Sequence, residues 1–283
     1  MADDTNTQKS SESEAKCRLG MFLAQPFTFI GEVVIGWINV LGATTVFLFM
    51  ALWEIFRPKQ LSKVIQQIYY VGARSITIIM LVSLFTGMVL GLQSYHALIK
   101  FGAVGGLGAL VSLSLIRELG PVLTAIMITA RAGSAITAEI GIQRISEQVD
   151  ALHTMRIDPF RYLISPRITA AIISFPLLTA IFDFIGIIGG YVSGVALLGL
   201  NAGVYSHSIQ SNVDMKDLTD GLIKAIVFAV IVATVCCYQG YYVHMRSDSH
   251  GAKAVGLATT SAVVTSCVLI LVSDYVVTSL LLI

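Results

Sequence analysis

The sequence contains little charge: only 12% of its 283 residues are Asp, Glu, Lys or Arg, whereas 55% are hydrophobic. Ordinary globular domains carry about 25% charged residues, so a water-soluble fold with a fully polar surface is excluded. The formal net charge is +1, which offers no argument for a nucleic-acid partner. The apolar stretches are continuous and not alternating, which argues against a transmembrane β-barrel. The composition therefore predicts an all-α polytopic membrane protein.

Motifs of catalysis and metal binding are also missing. The chain has no Gly-Lys dipeptide, so it lacks a G-x-x-x-x-G-K-[ST] phosphate-binding loop and a recognisable means of hydrolysing ATP. The five histidines show no metal-ligand spacing, the four cysteines include no C-x-x-C pair, and no G-x-S-x-G nucleophile motif occurs. We therefore expect a protein that is not an enzyme and that needs neither a cofactor nor a metal.

Five apolar stretches are long enough to cross the roughly 30 Å hydrocarbon core of a bilayer. They cover residues 75–93, 107–130, 168–198, 222–243 and 257–282. A sixth candidate, 33–53, has basic residues on both flanks, which favours an interfacial or re-entrant helix over another span. The polar residues 1–18 are expected to form a disordered tail, 19–56 the interfacial region, and 57–283 the membrane domain.

The distribution of basic residues predicts the orientation, because cytoplasmic loops are enriched in Lys and Arg. With five spans and the N-terminus inside, 14 of the 18 Lys and Arg residues fall on the inner side. The connection 201–221 then lies outside and is acidic. We expect a cytoplasmic N-terminus and a C-terminus on the opposite side.

Glycines recur at helical spacing in two of the predicted spans. Gly87 and Gly91 form one G-x-x-x-G unit, and Gly186, Gly190 and Gly194 form two more. Such spacing lets transmembrane helices approach closely, so helix packing is the favoured interpretation. The spacing alone leaves open whether the contact lies within one chain or between two copies.

The second predicted span contains a charged pair followed by helix breakers. Arg117 and Glu118 lie about ten residues, or roughly 15 Å, inside it. Each costs about 2.5–3.5 kcal/mol at mid-bilayer on insertion scales. Adjacent residues point about 100° apart, so we expect each to face another helix, a cavity or a polar ligand. Pro121 deprives the Arg117 carbonyl of its helical donor, and with Gly120 it favours a kink or local unwinding.

Two further ionisable residues lie in predicted spans. Asp183, in the third span, is a weaker candidate for a functional role of the same kind. Lys224 lies near the start of the fourth span, and we expect its side chain to snorkel to the interface.

The inner connection, residues 138–166, is long and amphipathic. Val149, Leu152 and Met155 recur at helical spacing, and Asp158-Pro159 gives a stop signal. The segment is either a helix lying on the membrane surface or a docking element for a cytoplasmic partner.

Four stretches closely resemble the MlaE/YrbE permeases. They are LFTGMVLGLQSY (84–95), LSLIRELGPVLTAIMITARAGSAITAEIG (113–141), EQVDALHTMRIDPFRYLISPR (147–167) and FPLLTAIFDFIGIIGG (175–190). The similarity extends from about Leu61 to the C-terminus. Proteins of this family are permease subunits of MCE-type ABC transporters, which move phospholipids or other lipids between the inner membrane and the envelope.

The resemblance implies a fold and a set of partners. The fold is a homodimer with five transmembrane helices per chain, an N-terminal interfacial elbow helix and a cytoplasmic coupling helix between spans 2 and 3. The partners are a second copy of the chain, a cytoplasmic ABC ATPase, a periplasmic hexamer of MCE-domain proteins and often a STAS-domain protein. The cargo is phospholipid, the location is the inner membrane of a Gram-negative bacterium with the C-terminus periplasmic, and the process maintains outer-membrane lipid asymmetry.

The resemblance also assigns roles to individual residues. The lipid-binding positions are Leu84, Leu92, Tyr95, Arg117, Glu118 and Leu119. The leucines would contact acyl chains, and the polar residues would lie nearer the head groups. Possible contacts to the ATPase in the coupling helix are Glu147, Asp150 and Asp158.

Two other functions fit the residues without the resemblance. One is an ion- or proton-coupled secondary transporter or channel that uses Arg117, Glu118 and Asp183 as a relay. The other is a membrane scaffold that only anchors soluble partners. Dependence of transport on ATP separates the permease from the first of these.

Overall fold

The computed structural model of the chain describes residues 42–50, 61–245 and 251–281. Within these ranges the structure is helical, with short turns and no strand. Five helices are long and apolar enough to cross a membrane, and we call them spans 1 to 5: Ser62–Ile99, Val104–Ile145, Phe160–Leu197, Met215–Tyr241 and Ala252–Leu281. The predicted all-α class and five spans are thereby confirmed. Inner denotes the span ends that the sequence predicts on the cytoplasmic side, and outer denotes the opposite ends.

The N-terminal predictions lie largely beyond this part of the chain. The predicted tail, 1–18, is outside the described residues, and so is most of the predicted interfacial region, 19–56. Of the sixth candidate segment, 33–53, the structure describes 42–50, which is helical.

Spans 4 and 5 are each one α-helix, whereas spans 1, 2 and 3 also contain 3₁₀- or π-helical segments. Their α-helical parts are Leu61–Val71 and Ile76–Ile99 in span 1, Leu107–Ser114, Gly120–Ile128 and Ser134–Ile145 in span 2, Ser165–Tyr191 in span 3, Met215–Tyr241 in span 4, and Ala252–Leu281 in span 5. Four π-helical segments interrupt or flank them: Leu115–Leu119, Thr129–Gly133, Phe160–Ile164 and Val192–Leu197. π-helical turns are rare and often mark functional sites.

Spans 1 and 3 pack together through their glycines, within one chain. A Cβ atom on Gly87 would lie 2.9 Å from the Cα of Gly186, closer than real side chains come. A Cβ on Gly91 would lie 3.3 Å from the Cα of Gly190. The absence of side chains at these positions therefore lets the two backbones touch, as the G-x-x-x-G spacing predicts.

Span 4 forms much of the interior and packs against spans 2, 3 and 5. Its buried face is built of small and medium side chains, among them Ala225, Ala229, Val232 and Cys236, together with the larger Phe228. The outer helix Ala202–Asn212 packs on the outer part of span 2, and the side chain of Asn201 caps it by accepting a hydrogen bond from the Gly203 amide at 2.8 Å. The outer end of span 2 also contacts spans 1 and 3.

The inner connection contains one short helix, Gln148–Thr154. Val149 is buried, as the amphipathic pattern predicts, whereas Met155 lies beyond the helix end and is exposed. Glu147 starts the helix with a left-handed φ of 58°. Whether this helix acts as the coupling helix stays a prediction.

Candidate functional site

The charged pair of span 2 lies in a π-helical turn. Arg117 and Glu118 belong to the segment Leu115–Leu119, directly before Gly120 and Pro121. The predicted departure from α-helical geometry is therefore confirmed. The two side chains do not pair with each other: each pairs with a residue of span 4.

Arg117 pairs with Asp217, at the start of span 4. Its Nε donates to Asp217 Oδ1 at 2.8 Å, and its Nη2 lies 2.5 Å from the same oxygen. The other oxygen of Asp217, Oδ2, accepts from the Asp214 amide at 3.0 Å. Asp217 is buried, whereas the Arg117 side chain is 51% exposed. The aspartate thus anchors the arginine and leaves part of its guanidinium available to a ligand.

Lys224 is the centre of the second ion pair, and its predicted snorkelling is wrong. Its side chain is 2% exposed, and Nζ lies 2.8 Å from Glu118 Oε2 and 3.2 Å from Asp274 Oδ1. Nζ also donates to the backbone carbonyl of Arg117 at 2.8 Å. This carbonyl is the one that Pro121 deprives of a helical donor. The ammonium therefore stays inside the bundle, where carboxylate and carbonyl oxygens replace water.

A cleft of about 180 Å³ opens beside these ion pairs. Its charged lining is balanced, with three cationic and three anionic side chains, and Thr278 and Leu281 of span 5 complete it; the charged residues are Arg117, Lys216, Lys224, Glu118, Asp217 and Asp220. The Glu118 side chain is 44% exposed, and its Oε1 lies 3.4 Å from the Thr278 hydroxyl, which donates to it. A lining of both signs next to apolar spans can accept a zwitterionic or anionic head group.

The structure brings together only part of the predicted lipid-binding set. Arg117 and Glu118 line the charged cleft, whereas Leu84, Leu92, Tyr95 and Leu119 do not. Leu92 lines a separate hollow on span 1 with Gln93, His96, Ala97 and Lys100. Leu84, Leu92, Tyr95 and Leu119 are all half-buried. Their common role in lipid binding stays a prediction.

Asp183 lies against the same bend of span 2 but outside the ion-pair cluster. It is buried, and a Cβ atom added to Gly120 would collide with its Oδ1. Within the described part of the chain, no hydrogen bond reaches this oxygen. Gly120 is therefore required for close packing against a buried carboxyl group.

The predicted ATPase contacts lie on the inner side. Asp150 forms an ion pair with Arg144, with Nη1 and Oδ1 2.7 Å apart. Glu147 and Asp150 line a polar hollow of about 340 Å³ with Arg144 and His244. Asp158 is exposed and its Oδ1 accepts from the Phe160 amide at 2.9 Å. All three carboxylates are accessible, but their role in coupling stays a prediction.

Sequence reasoning missed Asp217, which lines the charged cleft, and Asp274, which forms an ion pair with Lys224. Asp217 counted only as part of an acidic outer loop. Asp274 is an acidic residue inside the fifth apolar stretch, so the rule that singled out Asp183 would also have found it. Their partners lie on other spans, and no local pattern indicates which.

Known proteins resemble this chain over most of its length. Residues 64–280 match the family described as Permease MlaE. A probable ABC transporter permease protein of Rickettsia felis is 43% identical over 252 residues, which are 89% of this chain and 95% of the relative. The intermembrane phospholipid transport system permease protein MlaE of Haemophilus influenzae is 41% identical over 89% of this chain and 95% of its own length. The chloroplastic protein TRIGALACTOSYLDIACYLGLYCEROL 1 of Arabidopsis thaliana is 34% identical over 76% of this chain and 60% of its own.

The family match and the five apolar spans agree with each other, and the matched region includes the inner connection and every residue that lines the charged cleft except Leu281. The chain is a multi-pass membrane protein that belongs to the MlaE family of ABC transporter permeases.

Proposed function

We propose that the chain is the permease subunit of an ABC transporter that moves phospholipids between the inner membrane and an MCE-protein ring in the periplasm, and so contributes to outer-membrane lipid asymmetry. The observation that carries the proposal is the 41% identity, over 89% of the chain, to a permease named for intermembrane phospholipid transport. Its partners in this proposal are a second copy of the chain, a cytoplasmic ATPase, a hexamer of MCE-domain proteins and a STAS-domain protein. The ATPase supplies the nucleotide chemistry.

The charged cleft supports a role in holding a head group. Asp217 holds the Arg117 side chain in place, and about half of that side chain is exposed. Its remaining N–H groups can therefore donate to a phosphate with little further loss of side-chain entropy. Glu118 carries the opposite charge on the same turn and is also partly exposed. In this proposal the phosphate meets Arg117, a head-group amine meets Glu118, and the acyl chains extend along Leu84, Leu92 and Leu119.

An ion-coupled transporter is less well supported. Its relay needs Arg117, Glu118 and Asp183 to exchange protons or ions. Arg117 and Glu118 are held in separate ion pairs, and no hydrogen bond connects the Oδ1 of Asp183 to either within the described residues.

Reconstitution in proteoliposomes tests the proposal. The chain is purified with its ATPase, the bound lipid is identified by mass spectrometry, and transfer of labelled phospholipid to the MCE-domain protein is followed with and without ATP. We expect copurified phospholipid and transfer that requires ATP hydrolysis. Lipid-free protein, or transport that an ion gradient drives without ATP, would contradict the proposal and favour the secondary transporter.

A further inference from the structure

A second ion-pair cluster joins the inner ends of spans 2 and 3. Arg167 Nη2 lies 3.1 Å from Glu139 Oε2, and Arg167 Nη1 donates to the Leu163 carbonyl at 3.1 Å. The Arg167 side chain is 5% exposed and that of Glu139 is 40% exposed. The pair therefore has a buried cation and a carboxylate that reaches water.

The position of this pair along the chain is distinctive. Glu139 lies in the last helix of span 2, at the start of the inner connection, and Arg167 lies in the first turn of the main helix of span 3, directly after it. The two residues are 28 positions apart. Their ion pair thus closes the base of the connection that carries Glu147, Asp150 and Asp158.

Span 1 is tied to the inner part of span 2 by Arg131. Arg131 Nη1 donates to the Ser75 hydroxyl at 2.8 Å and to the Tyr70 carbonyl at 3.3 Å. Arg131 itself lies in the π-helical segment Thr129–Gly133. Arg131 therefore connects span 1 to span 2, as Glu139 and Arg167 connect span 2 to span 3.

Burial makes the pair hard to separate. Glu139 is the carboxylate paired with Arg167, and among the described residues no hydrogen bond reaches Arg167 Nε. If Glu139 moved away, a guanidinium would remain buried without a counter-charge, which is strongly unfavourable. The pair therefore holds the inner ends of spans 2 and 3 together.

We propose that Glu139 and Arg167 are positioning residues for energy coupling: they make the inner connection and the inner ends of spans 2 and 3 move as one body, so that displacement by the ATPase reaches the turn that bears Arg117. This inference rests on the proposed function. Glu139 and Arg167 themselves contact neither the charged cleft nor the exposed carboxylates of the connection.

The test measures lipid transferred per ATP hydrolysed by the complete reconstituted complex. Glu139→Gln keeps the side-chain shape and removes the charge. We expect ATP hydrolysis to continue while the transfer ratio falls at least about fivefold, the lower end of typical coupling effects. Lys253→Gln, an exposed charge removal at the inner end of span 5, is the matched control and should leave the ratio unchanged. Exchanging the charges with Glu139→Arg and Arg167→Glu should restore part of the ratio.

The outcomes separate this inference from the proposed function. A wild-type complex without ATP-dependent transfer would remove the proposed function and this inference with it. A working wild type with an unchanged ratio in Glu139→Gln would overturn the inference alone, and so would parallel losses of hydrolysis and transfer. If Glu139→Gln fails to assemble, Glu139→Asp retains the charge but shortens its reach, and an unchanged ratio in that variant has the same meaning.

Discussion

Replacing Lys224 with methionine should destabilise the outer half of the bundle more than any other loss of one charge in the cleft. Methionine has a similar length but no hydrogen-bond donor. The substitution leaves the Arg117 carbonyl without a donor, because Pro121 cannot supply one, and it removes the cation beside Glu118 and Asp274.

The expected magnitude follows from these three contacts. An unsatisfied buried carbonyl costs about 1–3 kcal/mol. Removing one partner of a fully buried ion pair costs about 3–5 kcal/mol, but Glu118 can be hydrated through the cleft, which lowers its share. The methionine variant also avoids the cost of removing the Lys224 ammonium from water, which offsets part of the loss. We expect a net loss of about 3 kcal/mol in the free energy of unfolding, which is roughly a 100-fold change in the folded-to-unfolded ratio.

Unfolding by SDS in mixed micelles, followed by far-UV circular dichroism, measures this loss. Lys216→Met is the matched control, because Lys216 lines the same cleft but is exposed and forms no ion pair within the described residues. The control should change stability by no more than about 0.5 kcal/mol. A double-mutant cycle with Glu118→Gln should give a coupling energy of about 0.5–3 kcal/mol. Equal effects of Lys224→Met and Lys216→Met would refute the reasoning.

Two further predictions concern the span contact and the head-group role. Gly87→Ala should lower the unfolding free energy by about 1–3 kcal/mol, because the added methyl group overpacks the contact with span 3. Gly256→Ala is the control: its methyl group would meet open space, so this variant should be neutral or slightly stabilised. Equal stability of the two variants in the same SDS titration would contradict the close contact. Arg117→Ala and Glu118→Ala should each reduce ATP-dependent phospholipid transfer by about tenfold or more, the cost of one charge-assisted hydrogen bond, and should impair transfer more than assembly of the complex. Wild-type transfer in both would show that neither side chain holds the head group.

The number of spans was readable from the sequence, but their ends were not. Hydropathy detects the stretch that must lie in hydrocarbon, and the prediction placed the start of span 1 at residue 75. The span in fact begins at Ser62. The prediction missed this start because the helix Leu61–Val71 carries polar residues such as Lys63 and Gln66, which interrupt the apolar run. Span 2 likewise extends to Ile145, beyond the predicted end at residue 130, because its inner part also contains polar residues.

The ion-pair partners could not be predicted from the sequence. A charged residue in an apolar stretch indicates a desolvation cost, but it does not indicate which residue of opposite charge compensates for that cost. Arg117 and Asp217 are 100 positions apart, and Glu118 and Lys224 are 106 apart. Lys224 was expected to reach the interface because it lies near a span boundary. The carbonyl released by Pro121 gives its ammonium a partner inside the bundle, and only the packed helices show that the two meet.

The glycine spacing illustrates the same limit. It predicted that some helix would approach Gly87 and Gly91 closely, and this was correct. It left open which helix, because G-x-x-x-G describes one surface of a contact and not the other. The structure pairs these glycines with Gly186 and Gly190 of the same chain.

The π-helical turns of span 2 change how its sequence has to be aligned with that of any related protein. An α-helix advances 3.6 residues per turn, and each wider turn accommodates an additional residue. Residues before Leu115 and after Leu119 therefore share a helix face only when the count is offset by one position. A relative that lacks one residue here can retain the same fold with an ordinary α-turn, and its arginine would then point about 100° away from the direction of Arg117. A single-residue gap at this place in an alignment thus identifies a rotated charge, not a neutral variation in loop length.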